Sequence, residues 1–314
     1  MSEERVKVLY VVGLGRSGST ILSNSLGQIG GYFSAGELNF IWRHNVIENR
    51  LCGCGRPFRE CPVWARVIEE AFGGMDAVDP REMMRLQASG TRTRHIPLML
   101  TARGDRILKE RLEKLLINYR RLYEAIGSVT DSRVIVDSSK EPAHGYAMSL
   151  VPGVDFRVVH LIRDPRAAAY SWLKKKPQPD SEEIEHMVRF SPAKSSALWD
   201  SWNASAEALW RRTPERYLRL RYEDFVADPR RSFGRILKLL GEEGAEPPLV
   251  GKREVKLGIS HTVSGNPNRF ETGAVELRPD HAWISAMSPR DKALVTALTT
   301  PLLQRYGYPT IPKS

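Results

Sequence analysis

The chain has 314 residues, with 47 lysines and arginines against 37 aspartates and glutamates, a formal charge of +10 and a pI near 9.6. With 41% hydrophobic and 27% charged residues it has the composition of a globular protein long enough to bury a large core, which excludes a disordered or fibrous chain. No stretch approaches the roughly 20 apolar residues that cross a bilayer. The basic balance favours an anionic partner, and nucleic acid, anionic lipid and a polyphosphorylated small molecule all satisfy it.

The chain opens with "VKVLYVVG" (6–13), a β-branched run apolar on both faces, preceded by acidic residues. It reads as a first strand rather than a signal peptide, so a cytoplasmic location is expected. "GLGRSGST" follows, then "TILSNSLGQIG" with apolar residues at helical spacing. Strand, glycine-rich loop and helix N-terminus together hold a phosphate through backbone N–H groups and the positive end of the helix dipole. The spacing nearly matches G-x-x-x-x-G-K-[ST], but Ser19 stands where the lysine belongs, and Arg16 supplies a cation three positions earlier.

Cys52, Cys54 and Cys61, the only cysteines, are bunched in "CGCGRPFRECPVW". Their odd number argues against a secreted disulfide framework. Three thiolates with a fourth ligand such as His44 would suit zinc, but no second CxxC or histidine pair follows, so local buried thiols and no metal are the expectation. From about residue 60 to 130 the pattern is helical, and residues 81–121 carry eleven arginines and lysines against four acids. Solvated amphipathic faces and a substrate-side wall with a basic inner face both fit.

"RVIVDSS" (133–139) and "FRVVHLIRD" (156–164) are further buried strands, the second leading into "PRAAAYSWLKKK", a helix with proline at its start and lysines in its last turn. "RYLRLRYEDF" (216–225) reads as a fourth strand, and "DPRRSFGRILKLLG" as another capped helix. Trp199 and Trp202 in "SSALWDSWNASAEALW" have the spacing of a core stripe, and "HTVSGNPNRF" (261–270) is a polar loop. Buried strands alternating with helices predict an α/β fold with a mostly parallel central sheet flanked by helices, binding ligands beyond the carboxyl ends of its strands. One domain over 1–314, with a helical insertion or lid near 60–130, is expected.

In "HLIRDPRAAAYS", Arg163 closes a strand and Ser171 lies two helical turns on, so a guanidinium and a hydroxyl can grip a second phosphate, although Arg163 can equally pair with Asp164. Taken together these stretches resemble the sulfotransferases that use 3'-phosphoadenosine-5'-phosphosulfate (PAPS). "GLGRSGST" looks like that family's 5'-phosphosulfate loop, "RDPRAAAYS" its 3'-phosphate element, and "LRLRYEDFVADPRRSFGRILKLLG" its tyrosine-bearing strand and following helix. "HTVSGNPNRF" and "LLQRYGYP" are similar to the late loop and tail of bacterial members.

The resemblance implies a P-loop-like fold and metal-independent transfer of a sulfuryl group from PAPS to a hydroxyl of a small molecule, sugar or lipid. It places the donor on Gly15, Arg16, Ser17, Gly18, Ser19, Thr20, Arg163, Ser171 and Tyr222, with His261, Asn266 and Arg269 either closing over the nucleotide or belonging to a loop held by its own turn chemistry. The base-bearing histidine of cytosolic members has no counterpart in "DSSKEP". Glu37, in "GGYFSAGELNFIW", matches the glutamate of the tyrosylprotein and glycosaminoglycan branch, with Lys140 stabilising the transferring group, Ser139 beside it and His144 the alternative base. Two other readings remain: an ATP-dependent small-molecule kinase, for which Asp137 in "VIVD" imitates a magnesium ligand, and a basic nucleic-acid-binding module. Nothing in the sequence specifies an oligomeric state.

Overall fold

A computed structural model describes residues 6–181, 184 and 186–311. Five strands, β1 (Lys7–Val12), β2 (Tyr32–Gly36), β3 (Val134–Lys140), β4 (Asp155–Ile162) and β5 (Tyr217–Arg221), form a parallel sheet in the order β2-β3-β1-β4-β5. Because side chains alternate along a strand, the doubly apolar β1 feeds two cores. Val8, Tyr10 and Val12 pack with helices Pro62–Phe72, Gly104–Thr130 and Pro142–Met148, whereas Leu9 and Val11 pack with helices Ser19–Leu26 and Pro229–Leu240. A small antiparallel sheet, β6 (Leu249–Gly251), β7 (Glu254–Leu257) and β8 (Gly273–Glu276), closes the second side. The α/β sheet flanked by helices is the fold the sequence predicts.

The chain leaves β1 toward β2 and β3 on one side of the sheet and reaches β4 and β5 on the other. A crevice therefore opens beyond the carboxyl ends of β1 and β4, where the winding changes direction.

Four local features depart from the sequence reading. β2, "YFSAG", was not predicted; it is short and carries small residues, yet all five are buried. The strand expected over 216–225 stops at Arg221, and Tyr222 opens the helix Tyr222–Ala227, whose first turn holds Glu223 and Asp224. The helix Pro165–Leu173 ends before the three lysines, because Pro177 follows and Lys174 is already extended. The helices between 62 and 130 turn apolar residues such as Met83, Leu108, Leu112 and Tyr119 onto the sheet-side core, and all eleven basic residues of 81–121 face solvent. The basic inner face that the sequence allowed is absent.

Candidate active site

The crevice holds a cleft of about 550 Å³. Its floor is the 13–18 loop between β1 and the helix Ser19–Leu26. Gly18 stands at the helix N-cap in the left-handed region (φ 88°), and a Cβ there would lie 2.4 Å from the Tyr222 ring, so glycine alone lets the loop turn this close to the tyrosine. No side chain caps this helix, which leaves the amides of Ser19 and Thr20 at the cleft for an anion.

Arg16 is left-handed too (φ 70°), a conformation that costs a non-glycine residue of order 1 kcal/mol. Its guanidinium lies 5.0 Å from the Trp172 ring centroid and donates from Nη2 to the Met187 sulfur at 3.2 Å. The Trp172 indole in turn donates to the Gly15 carbonyl (3.1 Å) and stacks on Phe190. Burial lowers the pKa of Arg16, and the Glu37 carboxylate partly opposes that shift. Nε and Nη1 of Arg16, Nε of Arg163 and Oγ of Ser17 are buried without a hydrogen-bond partner. Each such group costs about 1–3 kcal/mol unless a ligand completes it.

Arg163 follows β4. It donates from Nη1 to the Arg16 carbonyl (2.8 Å) and from Nη2 to Asp280 (2.7 Å), and its guanidinium covers the Tyr222 ring at 4.8 Å. The Trp199 indole fixes the Arg163 carbonyl at 2.9 Å, so this buried tryptophan, which the sequence reads as core, also orients the cation, while Trp202 is only partly buried. Ser171 lines the same wall, and Asp164 pairs with Arg166 instead, which frees Arg163 for the cleft.

Glu37 follows β2 and Lys140 ends β3; the two form an ion pair across the cleft. Lys140 is also left-handed (φ 68°), and its carbonyl accepts from Gly13 N–H at 3.1 Å, which fixes it against β1. Glu37 is 8% exposed and is held by its own N–H on the Val263 carbonyl (2.8 Å), while Gly265 lies against its carboxylate. Glu141 is close by, and burial with the neighbouring Glu37 charge pushes its pKa up to about 7.

Gly15, Arg16, Gly18, Ser19, Thr20, Glu37, Lys140, Arg163, Ser171, Tyr222 and Asn266 thus line one cleft, while Ser17, between Arg16 and Gly18, is buried and does not line it. Five others of the residues singled out above do not line it. His261, expected to close over the nucleotide, sits instead among the cysteines, with its Nδ1 3.2 Å from Cys61 Sγ. Arg269 is buried, with its guanidinium committed to Asp180 (2.8 Å) and to the carbonyls of Thr262 and Leu51. His144 is enclosed beside Tyr10 and Tyr119, where burial lowers its pKa to about 3. Ser139 gives its oxygen to the Asn39 N–H. Asp137 is fully buried against Ser139 and Tyr123, and burial raises its pKa to about 6. Sequence reasoning missed Trp172, Met187, Lys174, Lys176 and Asp280. Only the lysines carried a signal, through Pro177, which stops the helix and turns them to the cleft.

The family model for the Sulfotransferase family matches residues 9–246, from β1 through β5 and the helix after it. The chain belongs to the sulfotransferase family. Two solved structures share this sulfotransferase's fold over nearly its whole length. One is the sulfotransferase domain from the Synechococcus PCC 7002 olefin synthase, at 17% identity and a TM-score of 0.54 over 99% of this chain and 98% of that one. The other is the sulfotransferase domain from the curacin biosynthetic pathway, at 16% identity and a TM-score of 0.55 over 98% and 99%. No curated protein matches. Among the described residues no helix is long and apolar enough to cross a membrane.

Proposed function

We propose that the protein transfers a sulfuryl group from PAPS to a hydroxyl of a small molecule, sugar or lipid. One observation carries the donor assignment: four unpartnered buried donors, on Arg16, Ser17 and Arg163, meet at an uncapped helix N-terminus. A 3'-phosphate on Arg163 and Ser171, and a 5'-phosphosulfate on the 16–20 backbone and Arg16, would complete them, with the adenosine against Tyr222. Asp280 holds Arg163 when the donor is absent and yields it to the 3'-phosphate.

In the reaction the acceptor oxygen forms a bond to sulfur as the sulfur–oxygen bond to the 5'-phosphate breaks, releasing adenosine 3',5'-bisphosphate. Glu37 takes the acceptor proton through the carboxylate oxygen that Lys140 does not hold. Lys140 faces the charge on the transferring group, and Arg16 and the loop amides face the charge that grows on the leaving phosphate. These cations are set before the donor arrives, so little reorganisation accompanies transfer.

The kinase alternative has less support. Among the described residues the cleft acids are Glu37, Asp180 and Asp280, each paired to a cation, and Asp137 is turned into the core. Calorimetry with adenosine 3',5'-bisphosphate against ATP and magnesium tests the choice. Tight binding of the bisphosphate with weak binding of ATP is expected; the reverse preference overturns the proposal.

A further inference from the structure

Away from the donor wall the fold gathers the three cysteines around His261. The ligand atoms of Cys52, Cys54, Cys61 and His261 all lie within 4.8 Å of one another. Cys61 Sγ is 3.2 Å from His261 Nδ1, and Cys52 Sγ is 3.9 Å from the same atom. Zinc–sulfur bonds near 2.3 Å and zinc–nitrogen bonds near 2.0 Å set sulfur–nitrogen edges of about 3.5 Å in a tetrahedron, and the two distances bracket that value. We infer that Cys52, Cys54, Cys61 and His261 form a closed tetrahedral Zn²⁺ site.

The surroundings suit thiolate ligands. Cys52 and Cys54 lie in a tight turn closed by Cys52 N–H on the Arg56 carbonyl (2.8 Å) and Gly55 N–H on the Cys52 carbonyl (2.8 Å). Cys61 is the N-cap of the helix Pro62–Phe72, so its sulfur sits at the positive end of the helix dipole, which favours the thiolate that binds metal. His261 is positioned through its carbonyl, which accepts from the Trp64 indole at 2.6 Å. Cys52 and Cys61 are buried, while Cys54 and His261 are partly open and give the ion a path in. All three thiols are free, and three sulfurs with one imidazole suit zinc among common divalent ions. Each ligating thiol releases its proton to solvent as the metal binds.

Four protein ligands leave no open position, so the ion is structural. It clamps the 51–57 turn to the loop that runs onward to the cleft. Val263 donates to Ala35 (2.9 Å) and accepts from Glu37, Ser264 meets His44 Nδ1 at 3.2 Å, and Gly265 lies against the Glu37 carboxylate. From the sequence His44 was the nearer candidate for a fourth ligand, but its ring stacks on Phe40 and turns to Ser264. The true partner is 200 residues from Cys61, beyond the reach of any spacing rule.

The test is the metal content of the tag-free full-length chain, with thiols counted after denaturation. About one zinc per chain and three reactive thiols are expected, and reloading with Co²⁺ should give the visible bands of a tetrahedral thiolate site. Cys61→Ser and His261→Ala should each lose the metal, and His44→Ala should keep it. Should those ligand variants fail to fold, the Co²⁺ spectrum of the wild-type chain still decides the matter. Less than about a tenth of an equivalent of zinc after reconstitution, or a disulfide in place of two thiols, would overturn the site; loss of zinc in His44→Ala would overturn the choice of histidine.

Discussion

The end of the cleft that we assign to the donor is made of backbone amides and of cations seated where strands stop, whereas the rest of its lining is made of side chains carried in by loops. On the first side Arg16 follows β1, Lys140 ends β3 and Arg163 follows β4, so sheet register sets their places. On the second side Phe40, His44, Gln178, Val188 and Asn268 come from segments that share no strand. Among the described residues none between 51 and 130 lines either wall. One wall fits a fixed donor, since anion positions must be rigid to favour a transition state; the other can vary with the acceptor while the chemistry stays unchanged.

The contrast is most easily broken at Glu37, which stands between the walls. Glu37→Gln should cut turnover of labelled PAPS by about two to four orders of magnitude while bisphosphate affinity, measured by calorimetry, stays within about twofold. A parallel loss of both would move Glu37 from the chemistry to donor binding. Glu141 probes the acids stored beneath the cations. Its pKa near 7 lies above the ordinary carboxylate value of 4.5, so its contribution to stability is full below that value and is lost as pH rises through 7. Glu141→Gln should therefore gain ~2 kcal/mol in urea unfolding at pH 8 and converge with the wild type near pH 4. Asp280 gives the smallest effect. Asp280→Asn removes the anion that occupies Arg163, and should tighten bisphosphate binding about fivefold, in keeping with ~1 kcal/mol for a partly exposed pair.

The residues of the proposed donor wall could be grouped from the sequence because they lie on local motifs, and the structure brings them to one cleft. A buried strand, a glycine loop and a helix start lie within 20 residues, and Arg163 and Ser171 sit two turns apart on one strand–helix junction. Three of the strands legible in the sequence, β1, β3 and β4, carry β-branched apolar runs, and β5 shows itself by alternating leucine with arginine; β2 escapes because "YFSAG" is buried with neither pattern. Arg269 shows the opposite failure. Its place in a motif pointed to the nucleotide, but the residue that claims it, Asp180, lies 89 positions away. Trp172 and Asp280 were invisible for the same reason, since each acquires its role from a residue of a distant segment.

The proposed grip on two separate phosphates should show itself in a binding cycle. Wild-type protein and Arg163→Ala should each be titrated with adenosine 3',5'-bisphosphate and with adenosine 5'-monophosphate. Arg163→Ala should lose about 2 kcal/mol toward the bisphosphate and almost nothing toward the monophosphate. An equal loss toward both nucleotides, or none toward either, would contradict it.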